Sequence, residues 1–329
     1  MNAIVVRDGE DGPVLQWESA ADINCRRQEV VVSIKATAVN RADLLQARGL
    51  YPPPPDTTPI LGLEMAGVIS EVGADVEGWS VGDRVMSLLG GGGYAERVAV
   101  DAGMLMRLPD SWSFEFGAAV PEAWLTAFSN LFLEGQLHSG QTVLIHAGAS
   151  GVGTAAIQLA SSIGARVIAT AGTDAKTKLC RELGAEIAVN YKTEDFLNLV
   201  MAETDGVDLV LDPVGADYLE RNLKLLKEHG QLIIIGLLGG SVSKINLGRI
   251  LSRSLRIAGT RPRPLSIPEK IRIIRVFEEG FRSQFESGSL RPIIDRTFPI
   301  ESAGEAHRYV KRNLNAGKVI LTVCPEYEF

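Results

Sequence analysis

Apolar residues in the first part of the chain come in short runs: Glu29 to Ala36 (EVVVSIKA), Met65 to Val72 (MAGVISEV) and Tyr94 to Val100 (YAERVAV). Glycine and proline interrupt them repeatedly, a pattern that predicts short strands and a mainly-β lobe. One stretch, Arg41 to Arg48, has helical spacing, and Asn40 stands where an N-cap belongs. Tyr51 to Pro55 (YPPPP) and Gly90 to Gly93 are loops, because proline lacks the ladder donor and consecutive glycines weaken a strand.

Near Pro121 the pattern changes. Apolar runs at Thr142 to His146, Val167 to Ala171, Val207 to Leu211, Gln231 to Ile235 and Leu255 to Ala258 alternate with helical periodicity. Strand alternating with helix predicts βαβ units and a parallel sheet. Beyond Thr260 come a helix (Pro268 to Phe285), a short strand, a helix around Ser302 to Leu314 and a last strand, Lys318 to Val323. That tail is expected to pack on the first lobe. The fold class read from the pattern is α/β: a doubly wound parallel sheet plus a second, mainly-β domain.

Composition bounds this picture. A chain of 329 residues suits two domains at about 150 residues each. The contents of 46% hydrophobic and 22% charged residues are ordinary for a globular protein. A net charge of −7 and a pI near 5.3 disfavour nucleic acid or an anionic membrane as partner. Met1 to Arg7 is too short for a signal peptide and no run reaches roughly 18 apolar residues, so a cytoplasmic protein is expected. Cys25, Cys180 and Cys324 are odd in number and widely spaced, which suits free thiols in a reducing compartment.

The strongest local signal is Thr142 to Ala160, TVLIHAGASGVGTAAIQLA. An apolar strand runs into a turn holding Gly148, Ser150, Gly151 and Gly153, and Val152, Ala155, Ala156, Leu159 and Ile163 then recur at helical spacing. Glycines let backbone N–H groups approach a pyrophosphate while the helix points its positive end at the same anion. This strand, turn and helix mark a Rossmann dinucleotide site. NAD-specific sites place an acid at the end of the next strand. Here that strand ends Ala169-Thr170-Ala171-Gly172-Thr173 without one. Asp174 follows late and either caps the next helix or reaches the ribose. Lys176, with Thr173 and Tyr191 beside it, is placed to receive a 2′-phosphate, so NADP(H) is the expected cofactor.

Several stretches together, AVNRADLLQARG (38–49), YPPP (51–54), LGLEMAG (61–67), PEAWLTAF (121–128), the glycine motif, NYKTEDF (190–196) and GKVIL (317–321), resemble one family. It is the zinc-free, zeta-crystallin-like quinone oxidoreductases of the medium-chain dehydrogenase/reductase superfamily, particularly the stress- and apoptosis-associated branch. The resemblance implies a GroES-like catalytic domain at 1–121 completed by 263–329, a Rossmann domain at 122–262, and a cofactor in the cleft between them. It further implies cofactor contacts from Asn40, Tyr51, Thr126, Ser150, Gly151, Val152, the loop with Gly236 and Leu237, and Lys318.

Zinc-dependent relatives carry a cysteine at the position of Asn40 and a histidine at that of Leu63, and neither residue present can ligate zinc. Glu64 is left as a structural remnant or a polar support, and Asp43 as a cap or ion-pair partner. His138, His146, His229 and His307 lack ligand spacing and read as core or surface histidines. A quinone is already electron-poor and needs no metal to accept hydride. Tyr51 and Asn40 are the candidate catalytic residues, donating hydrogen bonds to the acceptor oxygen. Reduction of an activated alkene and a non-enzymatic, crystallin-like NADPH-binding role remain as alternatives. By resemblance, a homodimer is expected through the strands at Gln231 to Ile235 and Leu255 to Ala258.

Overall fold

The computed structural model describes residues 1–10, 12–55 and 57–323. Cys324, one of the three expected free thiols, lies outside the described residues. The chain divides into two compact units, Met1–Leu125 with Pro262–Phe329, and Thr126–Arg261.

In the first unit β1 (Asn2–Arg7) and β2 (Val14–Ser19) form an antiparallel hairpin. The next elements are β3 (Glu29–Val39), α1 (Arg41–Ala47), β4 (Glu64–Val72), β5 (Arg84–Leu88), β6 (Arg97–Asp101), β7 (Leu105–Arg107), α2 (Phe114–Ala118) and α3 (Pro121–Phe128). The three apolar runs seed β3, β4 and β6. β6 starts only at Arg97, while Tyr94 is fully buried ahead of it. Beyond the one short helix expected before Pro121, the unit contains α2, five residues long and capped by the Ser113 side chain on the Phe116 N–H.

The second unit contains β8 (Thr142–Ile145), α4 (Gly151–Ser162), β9 (Arg166–Ala171), α5 (Asp174–Glu182), β10 (Ile187–Asn190), α6 (Phe196–Glu203), β11 (Val207–Asp212), α7 (Ala216–Leu225), β12 (Leu226–Ile234), α8 (Leu247–Arg253) and β13 (Arg256–Gly259). All six strands are parallel, in the order β10-β9-β8-β11-β12-β13. Counted from β8 this is 3-2-1-4-5-6, the doubly wound Rossmann order, whose ligand crevice opens where the order reverses, between β8 and β11. Leu144, Ile168, Val189, Val210 and Leu232 from five strands pack with Phe196, Val200 and Leu223 from the helices. β10, Ile187-Ala188-Val189-Asn190, is an addition to the expected strands. β12 begins ahead of the expected Gln231, since Lys227-Glu228-His229 hides the strand in polar residues.

The chain then returns to the first unit with α9 (Ile267–Glu286), β14 (Ile294–Pro299), α10 (Ala303–Lys311) and β15 (Lys318–Thr322). β15 inserts between parallel β14 and antiparallel β3, with Val319 opposite Val39. The expectation that the tail packs on the first lobe holds, and the result is a seven-stranded sheet ordered β14-β15-β3-β4-β5-β7 with β6 also on β3. The register brings the start of β15 beside the end of β3 and the start of β4, where Lys318, Asn40 and Glu64 lie.

Candidate functional site

In the first unit, a buried polar network occupies the end of β3. Asn40 is the N-cap of α1, as expected, with extended backbone angles. Asp43, at the third helical position, completes the cap, its Oδ2 accepting the Asn40 N–H at 2.8 Å and its Oδ1 the Gly62 N–H at 3.2 Å. The Asn40 amide also reaches two charged partners and, with a longer contact, the Ala38 carbonyl 3.4 Å from its Nδ2. Its Nδ2 donates to Glu64 Oε1 at 2.7 Å and its Oδ1 accepts from Lys318 Nζ at 2.7 Å. Because a carboxylate only accepts and an ammonium only donates, these partners fix which way the amide faces.

Lys318 Nζ also lies 2.6 Å from Glu64 Oε1, with side chains 4% and 0% exposed. The second carboxylate oxygen, Glu64 Oε2, accepts the Glu122 N–H at 2.9 Å. Burial and the Glu64 charge push the Glu122 carboxyl up to about 8. Asp43 continues the network, with Tyr94 Oη 3.4 Å from its Oδ2 and 3.1 Å from His307 Nε2. Burial raises Asp43 to about 6 and lowers His307 to about 4, so this histidine is neutral at pH 7.

This donor set does not fit a zinc ion. Neither the Asn40 amide nor the Leu63 side chain is a zinc ligand, and the Lys318 ammonium already neutralises Glu64. Among the described residues no cluster of three or more His, Cys, Asp or Glu is arranged to hold a metal.

Tyr51, the other candidate catalytic residue, lies on the proline-rich loop. Arg263 reaches it from the returning chain, its Nη1 donating to the Tyr51 carbonyl at 3.3 Å and its guanidinium carbon 5.2 Å from the ring centroid. Arg263, Lys270, Tyr94 and Glu122 were missed by the sequence reading. The only local hint of Arg263 was a pair of arginines in Arg261-Pro262-Arg263-Pro264.

In the second unit the glycine turn is built as the motif requires. Ser150 caps α4, its Oγ accepting the Gly153 N–H at 3.0 Å. A Cβ on Gly153 would fall on the Ala147 carbonyl and within 2.6 Å of the Gly148 oxygen, while one on Gly148 would meet Cys180 Sγ at 2.9 Å. The glycines therefore let the turn close on itself, leaving the first-turn N–H groups of Gly151 and Val152 without intrahelical acceptors. The helix is buried on all sides from Gly153 to Ala160, not on one stripe, because its alanines pack closely. Cys180 is a free thiol whose burial pushes it up to about 12, and Cys25 is also free.

At the end of β9, Gly172 packs on Tyr191, whose hydroxyl would lie 2.8 Å from a Cβ there. Thr173, not Asp174, is the cap of α5, its Oγ1 accepting the Lys176 N–H at 3.3 Å. Asp174 instead accepts from Asn190 Nδ2 at 2.7 Å, since it falls one residue inside the helix. Thr173 and Tyr191 are exposed and Lys176 is half-buried; Thr173 and Lys176 share the start of α5, and Tyr191 packs at Gly172 just before it.

At the crevice, His146 follows β8 and is fully buried. Its Nε2 lies 2.7 Å from Asn222 Oδ1 and its Nδ1 3.0 Å from Thr170 Oγ1, while Asn222 Nδ2 donates to Asp212 Oδ2 at 3.0 Å. Asp212 can only accept, so Asn222 must accept from His146, which places the imidazole proton on Nε2. Burial lowers His146 to about 4, making it the core histidine expected. Asp212 Oδ1 accepts the N–H groups of Val214 and Gly215 at 2.6 and 3.1 Å, and the carbonyls of Pro213 and Val214 bind the Leu238 and Gly239 N–H groups. Gly236 and Leu237 thus sit on a loop anchored to β11. Thr126 is buried, its carbonyl accepting from Asn130 Nδ2 at 2.7 Å.

Residues 26–110 match the family described as Alcohol dehydrogenase GroES-like domain, and residues 151–272 match Zinc-binding dehydrogenase. The synaptic vesicle membrane protein VAT-1 homolog of Danio rerio is 32% identical over 91% of this chain. Quinone oxidoreductase-like protein 2 of Bos taurus is 31% identical over 90% of this chain and 85% of its own length. The chain spans 65% of the zebrafish protein and between 5% and 14% of three polyketide synthases it also matches. Among solved structures, Escherichia coli quinone oxidoreductase complexed with NADPH superposes with a TM-score of 0.86 at 30% identity, over 98% of this chain and all of that one. CurK enoyl reductase gives 0.84 at 28% identity, covering 98% of each chain. With the metal-ligand positions held by Asn40 and Leu63 and both domains matched, the chain belongs to the zinc-independent quinone-oxidoreductase and VAT-1-like group of the medium-chain dehydrogenase/reductase superfamily.

Proposed function

We propose that the protein is an NADPH-dependent quinone reductase. The observation that carries this reading is the Lys318–Glu64–Asn40 constellation standing where a zinc site would be. It polarises nothing as strongly as a metal does, so it suits an acceptor that is already electrophilic. NADPH supplies the hydride. The chain's own residues do the rest: the Gly151 and Val152 N–H groups and the α4 dipole take the pyrophosphate. Lys176, Thr173 and Tyr191 take the 2′-phosphate. The Tyr51 phenol and the Asn40 amide donate to the acceptor oxygen as negative charge develops there; Asn40 is held in one orientation by its two charged partners and exchanges its weak 3.4 Å contact with the Ala38 carbonyl for the acceptor. NADPH in the Escherichia coli relative supports the cofactor assignment.

The test is steady-state oxidation of NADPH, followed at 340 nm, against 1,4-benzoquinone and 9,10-phenanthrenequinone beside trans-2-hexenal and a crotonyl thioester. Quinone turnover well above enal turnover is expected. The reverse ranking establishes activated-alkene reduction, the reading favoured by the likeness to CurK enoyl reductase. Tight NADPH binding without oxidation by any acceptor sinks both in favour of a non-enzymatic, crystallin-like role.

The same proposal includes a homodimer. β13 is an edge strand with an open side, and Leu237, Leu238, Val242, Leu247 and Leu251 are exposed near it in sequence, two of them more than 80%. Pairing two β13 edges about a two-fold axis would cover both the ladder and this surface. No described helix is long and apolar enough to cross a membrane. Cytoplasmic residence belongs to the proposal and is supported by the unpaired Cys25 and Cys180.

A further inference from the structure

Arg263 is 6% exposed, and its guanidinium serves three parts of the first unit. Nε and Nη2 donate to the Gly90 carbonyl at 2.9 and 2.7 Å, Nη2 to Gln46 Oε1 at 2.7 Å, and Nη1 to the Tyr51 carbonyl at 3.3 Å. Behind it, Lys270 Nζ, 9% exposed, donates to the Arg263 carbonyl at 2.7 Å. Two buried cations are thus held by carbonyl and amide oxygens. Burial lowers the pKa of each, and Asp43, Glu122 and Tyr51 are the groups that offset this for Arg263, Glu122 for Lys270. A neutral side chain of similar shape would clamp these loops without the cost of desolvating a charge. The charge itself faces the Tyr51 ring at 5.2 Å.

We infer that Arg263 is a positioning residue for Tyr51: its planar fork ties the Tyr51 loop to the Gly90 loop and to α1, and its charge holds the ring over the guanidinium, so the phenol is presented in one orientation. The inference rests on the reading of Tyr51 as the donor to the acceptor oxygen. Lysine cannot replace arginine here, because a point ammonium has neither the fork for three acceptors nor the plane for the ring.

The test uses the full chain labelled with 3-fluorotyrosine. Of six tyrosines, Tyr51 is assigned as the fluorine signal that disappears in Tyr51→Phe. Arg263→Lys is expected to shift or broaden that signal and leave the others in place, with Arg263→Gln as the second variant should the first unfold. A Tyr51 signal unmoved in a folded variant overturns the inference. In NADPH oxidation with 1,4-benzoquinone, Arg263→Lys is expected to lower kcat about tenfold in the native background and less than about twofold in the Tyr51→Phe background. Equal losses in both backgrounds also overturn it. Tyr51→Phe with native kcat and native NADPH affinity refutes the donor role of Tyr51, while the fluorine signal separately decides whether Arg263 holds the ring.

Discussion

Lys318 Nζ sits 2.6 Å from Glu64 Oε1 with both side chains almost wholly buried, an ion pair joining residues 254 apart in sequence. Removing one partner leaves the other charge buried and alone, which typically costs about 3–5 kcal/mol, whereas removing both is far milder. Lys318→Met is therefore expected to lower urea stability by about that amount, and Lys318→Met with Glu64→Gln to recover most of it. A double variant as unstable as the single one would show that the two charges are not coupled.

Lys176 should discriminate between the two nicotinamide dinucleotides. Losing one charge-assisted contact weakens binding by about tenfold or more. Lys176→Ala is expected to raise the NADPH dissociation constant by that factor and the NADH constant by less than about twofold, read by quenching of protein fluorescence. Parallel losses would remove Lys176 from the 2′-phosphate site.

Two glycines should respond in opposite directions to the same change. Gly153→Ala drives a methyl into the Ala147 and Gly148 carbonyls, so it is expected to destabilise by about 1–3 kcal/mol and to abolish tight NADPH binding. Gly280, within α9, has open space where a methyl would go, with no neighbouring atom within 4 Å. Gly280→Ala should therefore stabilise by about 1 kcal/mol through helix propensity alone. Calorimetric melting of the two variants separates steric from conformational effects.

His307 should contribute to acid lability. Its pKa is about 4 folded, against 6.5 for the free side chain, so between those values the unfolded chain binds the extra proton. Stability from this group is complete above pH 6.5 and is lost as pH falls toward 4, by about 2 kcal/mol at pH 5. His307→Gln keeps a partner for Tyr94 but cannot titrate, so it should lose less stability than the native protein between pH 7 and pH 5. Asp43 runs the other way, its raised pKa adding stability as pH falls through 6, but it is common to both proteins and cancels in the difference.

Periodicity and turn chemistry made the Rossmann unit readable because each of its signals is local. The strand, glycine turn and helix at 142–162 need only neighbouring residues to identify them. Other elements escaped: β10 at Ile187–Asn190, α2 with its five residues, and the start of β12, which opens on Lys227-Glu228-His229. Capping preferences placed the start of α1 correctly at Asn40 but misled at Asp174, where Thr173 caps the helix and Asn190 holds the aspartate. The buried polar network was least legible. Its members Asn40, Glu64 and Lys318 come from three separate segments, and no local pattern marks Arg263 as a contact of Tyr51.

The insertion of β15 between β14 and β3 also bears on how the protein is made. Val39 waits for Val319 to complete its ladder, so the first unit cannot close its sheet until β15 has left the ribosome. The Rossmann unit is continuous and can fold while synthesis goes on, since its strands pair with near neighbours. Until then β3 carries an unpaired edge, and Asn40 lacks the lysine that orients it. The orientation of the Asn40 amide is thereby set only after the whole Rossmann unit has been synthesised.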